Sequence, residues 1–165
     1  MPVQITKHEK NLIILDIDGC VIDSDGRLHH LIESNDREAY DAAHPTDFTI
    51  PAGAFVYKMF QDMHANSPTH TVLFVTGRRE CSRNYTLAQL NAAIGADHPV
   101  ESYQLLMRPL DAGFDVHDIV LKPKAIEDAG YSLDRILLVV EDRNTTVSMW
   151  RERGITCWQS QMGDF

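Results

Sequence analysis

Residues 11–19 read NLIILDIDG. The apolar run is short, continuous and rich in branched side chains, which marks a strand covered on both faces. It passes without a break into Asp16-Ile17-Asp18-Gly19. Carboxylates at i and i+2 of a strand end can face one pocket if the chain turns at the glycine. Paired acids at that spacing repel each other unless a cation lies between them. Asp and Gly are also ordinary turn residues, so the tetrapeptide alone fits a plain turn as well.

Four further apolar runs have the same character: Thr71–Val75, Tyr103–Met107, Arg135–Val140 and Ile155–Trp158. Helical patterns lie between them. One starts at Pro51, with Phe55, Met59 and Met63 recurring on one face. Glu80–Ile94, Lys122–Ala129 and Thr145–Arg153 are stopped by Gly95, Gly130 and Gly154. Strands alternating with helices imply right-handed crossovers and a parallel sheet covered on both faces. The expected fold is α/β and Rossmann-like, with a five-stranded parallel sheet in a single domain over residues 1–165. Ser24–Ile50 breaks the alternation. It is polar, rich in His and Asp, and too long for an ordinary loop, so it is expected to form a small cap insertion.

The chain has 165 residues, with 15 Lys plus Arg against 24 Asp plus Glu, a net charge of -9. Such a surface disfavours nonspecific grip on long nucleic acid or an anionic membrane, without excluding a local basic pocket. No apolar run approaches the 18 residues of a membrane span, and the N-terminal MPVQITKHEK lacks the apolar core of a signal peptide. Cys20, Cys81 and Cys157 are odd in number and far apart, which points to a reducing cytoplasm rather than a disulfide framework.

Two more strand ends carry polar triplets. Thr76-Gly77-Arg78 offers a hydroxyl, a flexible amide and a guanidinium, the makings of a phosphate cradle. Read alone, Thr76 also fits a helix N-cap. Glu141-Asp142-Arg143 is a second acidic pair, and it too fits a cap before Thr145. Open parallel sheets bind ligands at the carboxyl ends of their strands, so the three junctions gain force together. Lys122 and Lys124 open the helix expected at Lys122. A lysine in a first turn opposes the helix dipole unless an anion compensates. A solvated lysine is the ordinary alternative.

These motifs resemble the haloacid dehalogenase superfamily of aspartate-nucleophile phosphatases. The likeness runs through DIDG (Asp16–Gly19), VTGR (Val75–Arg78), Lys122 and VVEDR (Val139–Arg143), in the family's order over nearly the whole chain. The ending MWRERGITCWQSQMGDF, the stretch LLMRP (Leu105–Pro109), Asp118 four residues before Lys122, and Arg27 eleven residues after Asp16 are similar to the 3'-phosphatase domain of phage-type polynucleotide kinase/phosphatases. The resemblance implies Asp16 as nucleophile and Asp18 as acid and base. Thr76 and the Gly77 amide would hold phosphoryl oxygens, and Lys122 would screen the charge. Mg²⁺ would bind Asp16, the Asp18 carbonyl and Asp142, with Glu141 acting through water. Arg27 and Arg78 would grip the substrate, and Asp118 would orient one of them or Lys122.

Cys20 departs from the Thr or small residue commonest after DxDG, and Glu141 from the Asp of closer relatives. No G-x-x-x-x-G-K-[ST] occurs, so a free-standing phosphatase is expected. Trp150, Trp158 and Tyr57 read as core, while Tyr40 and Phe48 are candidates for contact with a base. The resulting expectation is a Mg²⁺-dependent phosphomonoesterase whose partner is a phosphorylated nucleotide or a nucleic-acid 3' end. The alternatives are a small-molecule phosphatase, such as a nucleoside monophosphate 5'-nucleotidase, and a noncatalytic binding module. Oligomeric state is not legible.

Overall fold

The computed structural model describes residues 9–66, 70–113 and 115–163. Residues 1–8 of the polar N-terminal stretch, and Asp164 and Phe165 of the tail, lie outside the described residues. In chain order the strands are β1 (Leu12–Leu15), β2 (Ile22–Asp23), β3 (Phe48–Thr49), β4 (Thr71–Arg79), β5 (Leu105–Arg108), β6 (Ile136–Arg143) and β7 (Cys157–Gly163). The helices are α1 (Leu28–Ile32), α2 (Arg37–Ala42), α3 (Pro51–Asn66), α4 (Arg83–Ile94), α5 (Asp118–Asp128) and α6 (Asn144–Glu152). As expected, five strands form one parallel sheet; their order is β5-β4-β1-β6-β7, and β2 pairs antiparallel with β3.

Strand alternation divides β1 between two cores. Ile13 and Leu15 pack with Tyr57 and Phe60 of α3 and with Leu90 and Ile94 of α4. Leu12 and Ile14 pack on the other face with Ile126 of α5 and with Val147 and Trp150 of α6. Each such side chain contributes about 1.5–3 kcal/mol of burial. Tyr57 stacks on Phe74 at 5.1 Å between ring centroids. Trp158 is the exception among the expected core aromatics. It lies on an edge strand with one neighbour and is 52% exposed.

Several boundaries differ from the sequence reading. β4 and β6 run on to Arg79 and Arg143, because β5 and β7 pair with them beyond the apolar segments, Arg79 opposite Arg108 and Arg143 opposite Gly163. The polar triplets therefore lie on strands, and Thr76 caps no helix. Ser102–Gln104 is a 3-10 turn closed by reciprocal Glu101 and Gln104 bonds, which delays β5 to Leu105. α5 starts at Asp118, so Lys122 lies in the second turn, buried against the sheet. Residues 24–50 do build their own structure. The β2–β3 ribbon closes it, Asp36 caps α2 through the Ala39 amide at 2.9 Å, and 3-10 turns cover Asp25–Arg27 and His44–Thr46. Among the described residues no helix is long and apolar enough to cross a membrane.

Candidate active site

β1, flanked by β4 and β6, is where the chain crosses from one half of the sheet to the other, and the candidate residues meet at its carboxyl end. Asp16 follows β1 directly. Its Oδ2 lies 2.9 Å from Lys122 Nζ, which also donates to Glu141 Oε2 at 2.6 Å. Glu141 Oε1 accepts the Asp142 amide at 3.2 Å. Carboxylate oxygens of Asp16, Glu141 and Asp142 all lie within 4.8 Å of one another. Lys122 thus bonds two of the three acids. Burial, then Glu141, pushes the Asp16 carboxyl well above the usual carboxylate range; burial, then Asp16, pushes Asp142 up to about 6; burial likewise raises Glu141. Burial works against the Lys122 charge, but Asp16 and Glu141 override it and hold the ammonium firmly protonated. The excess of hard oxygen donors over positive charge fits a divalent cation such as Mg²⁺.

Asp18 has the opposite surroundings. The backbone turns between Ile17 and Ile22, with Gly19 at φ +74°, a conformation that an L side chain rarely adopts. A Cβ at Gly19 would also lie 2.2 Å from Asp142 Oδ2. Arg78 forks onto Asp18, Nε to Oδ2 at 2.9 Å and a terminal nitrogen to Oδ1 at 2.6 Å, and Arg27 adds a bond at 3.1 Å. Burial alone would raise Asp18, yet the arginines, Arg78 foremost, hold it well below the usual carboxylate range. Its side chain is no member of the acidic triad.

Behind this clamp lies Asp47, which the sequence reading missed. It accepts Arg27 Nε at 2.7 Å and Arg78 at 3.3 Å. Gln89 accepts Arg78 at 2.6 Å. No local motif marks either residue, because their partners are far away in sequence. Arg27 is fully buried and does not line the cleft; its guanidinium lies 4.0 Å over the Tyr40 ring and reaches the site through Asp18.

Thr76 and Arg78, two apart on β4, point the same way, and Thr76 Oγ1 accepts the Arg78 amide at 3.2 Å. A Cβ at Gly77 would lie 2.9 Å from Asp118 Oδ1, so any other residue there would press on that carboxylate. Asp118 bonds Arg108 and Arg143, each at 3.0 Å, rather than Arg27 or Arg78. Arg108 in turn donates to the Gly77 carbonyl at 3.2 Å. A cleft of about 350 Å³ opens over Asp16, Asp18, Thr76, Gly77, Arg78, Asp118 and Asp142. Leu28, Leu31, Ile32 and Tyr40 of the 24–50 segment form one wall. Phe48, by contrast, is 74% exposed on the ribbon, outside the cleft.

The family model of the polynucleotide kinase PNKP phosphatase domain matches residues 10–165. The chain belongs to that family. The PNKP phosphatase domains are haloacid dehalogenase-type phosphatases, and the solved structures agree on the fold. A chain of the Pnkp1/Rnl/Hen1 complex is 22% identical with a TM-score of 0.64, covering 100% of this chain and 52% of that one. A second, from the Pnkp1/Rnl/Hen1 RNA repair complex, is also 22% identical, with a TM-score of 0.62 and coverage of 100% and 48%. A hydrolase from Pseudomonas syringae is 13% identical with a TM-score of 0.57, covering 89% and 82%. This chain therefore spans about half the length of the Pnkp1 complex chains it matches. No curated protein sequence matches it.

Proposed function

We propose that this PNKP-type phosphatase domain is a Mg²⁺-dependent phosphomonoesterase that removes a 3'-phosphate from a polynucleotide end, with Asp16 as nucleophile. The observation that carries this reading is the contact of the Asp16 carboxylate with Lys122 inside a three-carboxylate group, beside the cradle of Thr76, Gly77 and Arg78. Asp16, Asp142 and the Asp18 carbonyl would hold the Mg²⁺, with Glu141 beside them. Bound there, the cation supplies neutralising charge for the attacking and transferred groups.

The chain's own groups do the rest. A carboxylate oxygen of Asp16 bonds to phosphorus as the P–O3' bond breaks, and Asp18 gives its proton to the leaving oxygen. Water then attacks the aspartyl-phosphate, Asp18 takes the proton, and inorganic phosphate leaves with Asp16 restored. The Thr76 hydroxyl and Gly77 amide hold phosphoryl oxygens, while Lys122 balances their charge. The arginine clamp leaves Asp18 ionised, the state needed for the second step. An incoming phosphoryl group competes for the Arg78 N–H groups, and an Asp18 so loosened can carry the proton for the first. Three unpaired cysteines suit a reducing cytoplasm.

Phosphate release should be measured on a 3'-phosphorylated oligonucleotide, its 5' counterpart, 3'- and 5'-mononucleotides, sugar phosphates and an aryl phosphate, with Mg²⁺ and with chelator. The 3'-phosphorylated oligonucleotide should be fastest and chelator should abolish release. Preference for 5'-mononucleotides would move the chain to the nucleotidases, and no release from any substrate would leave a binding module.

Two variant sets refine the reading. Asp142→Ala should abolish Mg²⁺ binding by calorimetry, while Glu141→Ala should weaken it by roughly 10–100-fold. Undiminished Mg²⁺ binding in Asp142→Ala would overturn the ligand assignment. Ile32, 69% exposed on the cleft wall, can lose its apolar contact without cost to the core. Ile32→Asp should raise KM for the oligonucleotide about tenfold and leave the aryl phosphate nearly unchanged. Equal effects on both substrates would remove this wall from substrate recognition.

A further inference from the structure

The turn that carries Asp18 is tied to the edge strand β7. Within Ile17–Ile22 the amides of Cys20, Val21 and Ile22 donate to the Ile17 carbonyl, and the Gly19 amide donates to Ile22. The Gly19 carbonyl points outward instead and accepts the Ser160 hydroxyl at 2.8 Å. A hydroxyl has one proton to give, so the Cys20 thiol, 3.2 Å from Ser160 Oγ, is the donor in that second contact. Thiol, hydroxyl and carbonyl thus form a relay from Cys20 through Ser160 to Gly19. This gives a physical use to the cysteine that departs from the family's commoner residue.

The preceding residue grips the other acidic strand end. Gln159 Nε2 donates to the Asp142 carbonyl at 2.9 Å and to Asn144 Oδ1 at 2.6 Å. The ladder is irregular here: β6 advances from Glu141 to Arg143 while β7 advances from Gln159 to Gly163. Such a bulge re-aims side chains along an edge. Adjacent β7 residues therefore hold two catalytic segments that lie one against the other at Gly19 and Asp142.

We infer that Ser160 and Gln159 are positioning residues for the reaction proposed above, on which this inference rests. Ser160 sets the Asp16–Gly19 turn, and Gln159 sets the backbone that carries Asp142. Neither touches the transferred group. Their effect reaches it through main-chain placement, and small misplacements of reacting groups are costly.

The test uses the whole chain. Ser160→Ala should lower kcat about tenfold with KM unchanged, and Ser160→Thr, which keeps the hydroxyl, should restore it to within about twofold. Amide hydrogen exchange over residues 17–22 should quicken in Ser160→Ala and recover in Ser160→Thr. Gln159→Ala should weaken Mg²⁺ binding about tenfold by calorimetry without substrate. Gln161→Ala, exposed on the same strand, is the control and should match wild type in all three readings.

Wild-type kcat and exchange in Ser160→Ala would overturn the Ser160 half. So would an equal loss in the Thr variant, which would mean packing alone. Unaltered Mg²⁺ affinity in Gln159→Ala would overturn the Gln159 half. A wild-type chain that released no phosphate would instead sink the proposed function, and the exchange and calorimetric readings would still judge the two ties.

Discussion

Asp16→Asn is expected to cut phosphate release by at least about 10³-fold while the thermal midpoint of the metal-free protein holds or rises. The amide keeps the carboxylate's shape but cannot attack phosphorus. Asp16 is raised by burial and by Glu141, so its ionised form is unfavourable in the folded state. An acid raised on folding binds more protons folded than unfolded, and its contribution falls as pH climbs above the ordinary carboxylate value. Removing the charge should therefore help most near neutral pH and least in acid, where the carboxyl is already neutral. Lys122 keeps Glu141 as a partner at 2.6 Å in the variant, so no buried ammonium is orphaned. Turnover and midpoint measured from pH 5 to pH 8 check both halves. Near-normal turnover would end the aspartyl-phosphate mechanism for this chain.

Lys122→Met should have the largest combined effect. The thioether fills much of the stem's volume but leaves Asp16 and Glu141 facing each other without their ammonium. Lys122 is 2% exposed, so solvent cannot take its place. Breaking a buried pair in this way costs about 3–5 kcal/mol. Both acids, already raised, should be raised further, and stability should then fall as pH rises from about 5 to 8, more steeply than in wild type. Mg²⁺ should recover part of the loss. Turnover should fall by about 10³-fold, since charge on the proposed nucleophile, Asp16, and on the phosphate is no longer balanced. Melting curves across that pH range, with and without Mg²⁺, test the assignment. A midpoint at wild-type level throughout would show that the ammonium is dispensable to the acidic group.

The layout of the sheet was legible because its determinants are local. Five short apolar runs separated by amphipathic stretches mark a covered parallel sheet, and β1 shows why: its alternate residues supply two different cores. Boundaries were less legible, since they depend on partners. β4 and β6 extend through their polar triplets because neighbouring strands offer hydrogen bonds there. Tyr40 and Phe48 illustrate the same limit. Both are aromatic residues of the 24–50 segment, yet one is buried beneath Arg27 at the cleft and the other is exposed away from it.

Within the candidate site, local order is enough to place certain chemical groups directly after the apolar runs: Asp16, Asp18, Thr76, Gly77, Arg78, Glu141 and Asp142. The order of apolar runs and polar triplets, and the alternation of residues along a strand, are properties of neighbouring residues. How those groups divide depends on long-range packing. It set Asp16 with Lys122 and the acidic triad, and Asp18 with Arg27, Arg78 and, behind them, Asp47. It also paired Asp118 with Arg108 and Arg143, and hung the Asp16–Gly19 turn on Ser160. Whether a buried carboxylate is raised or lowered depends on the charges packed against it, and those come from segments brought together only when the sheet closes its two cores.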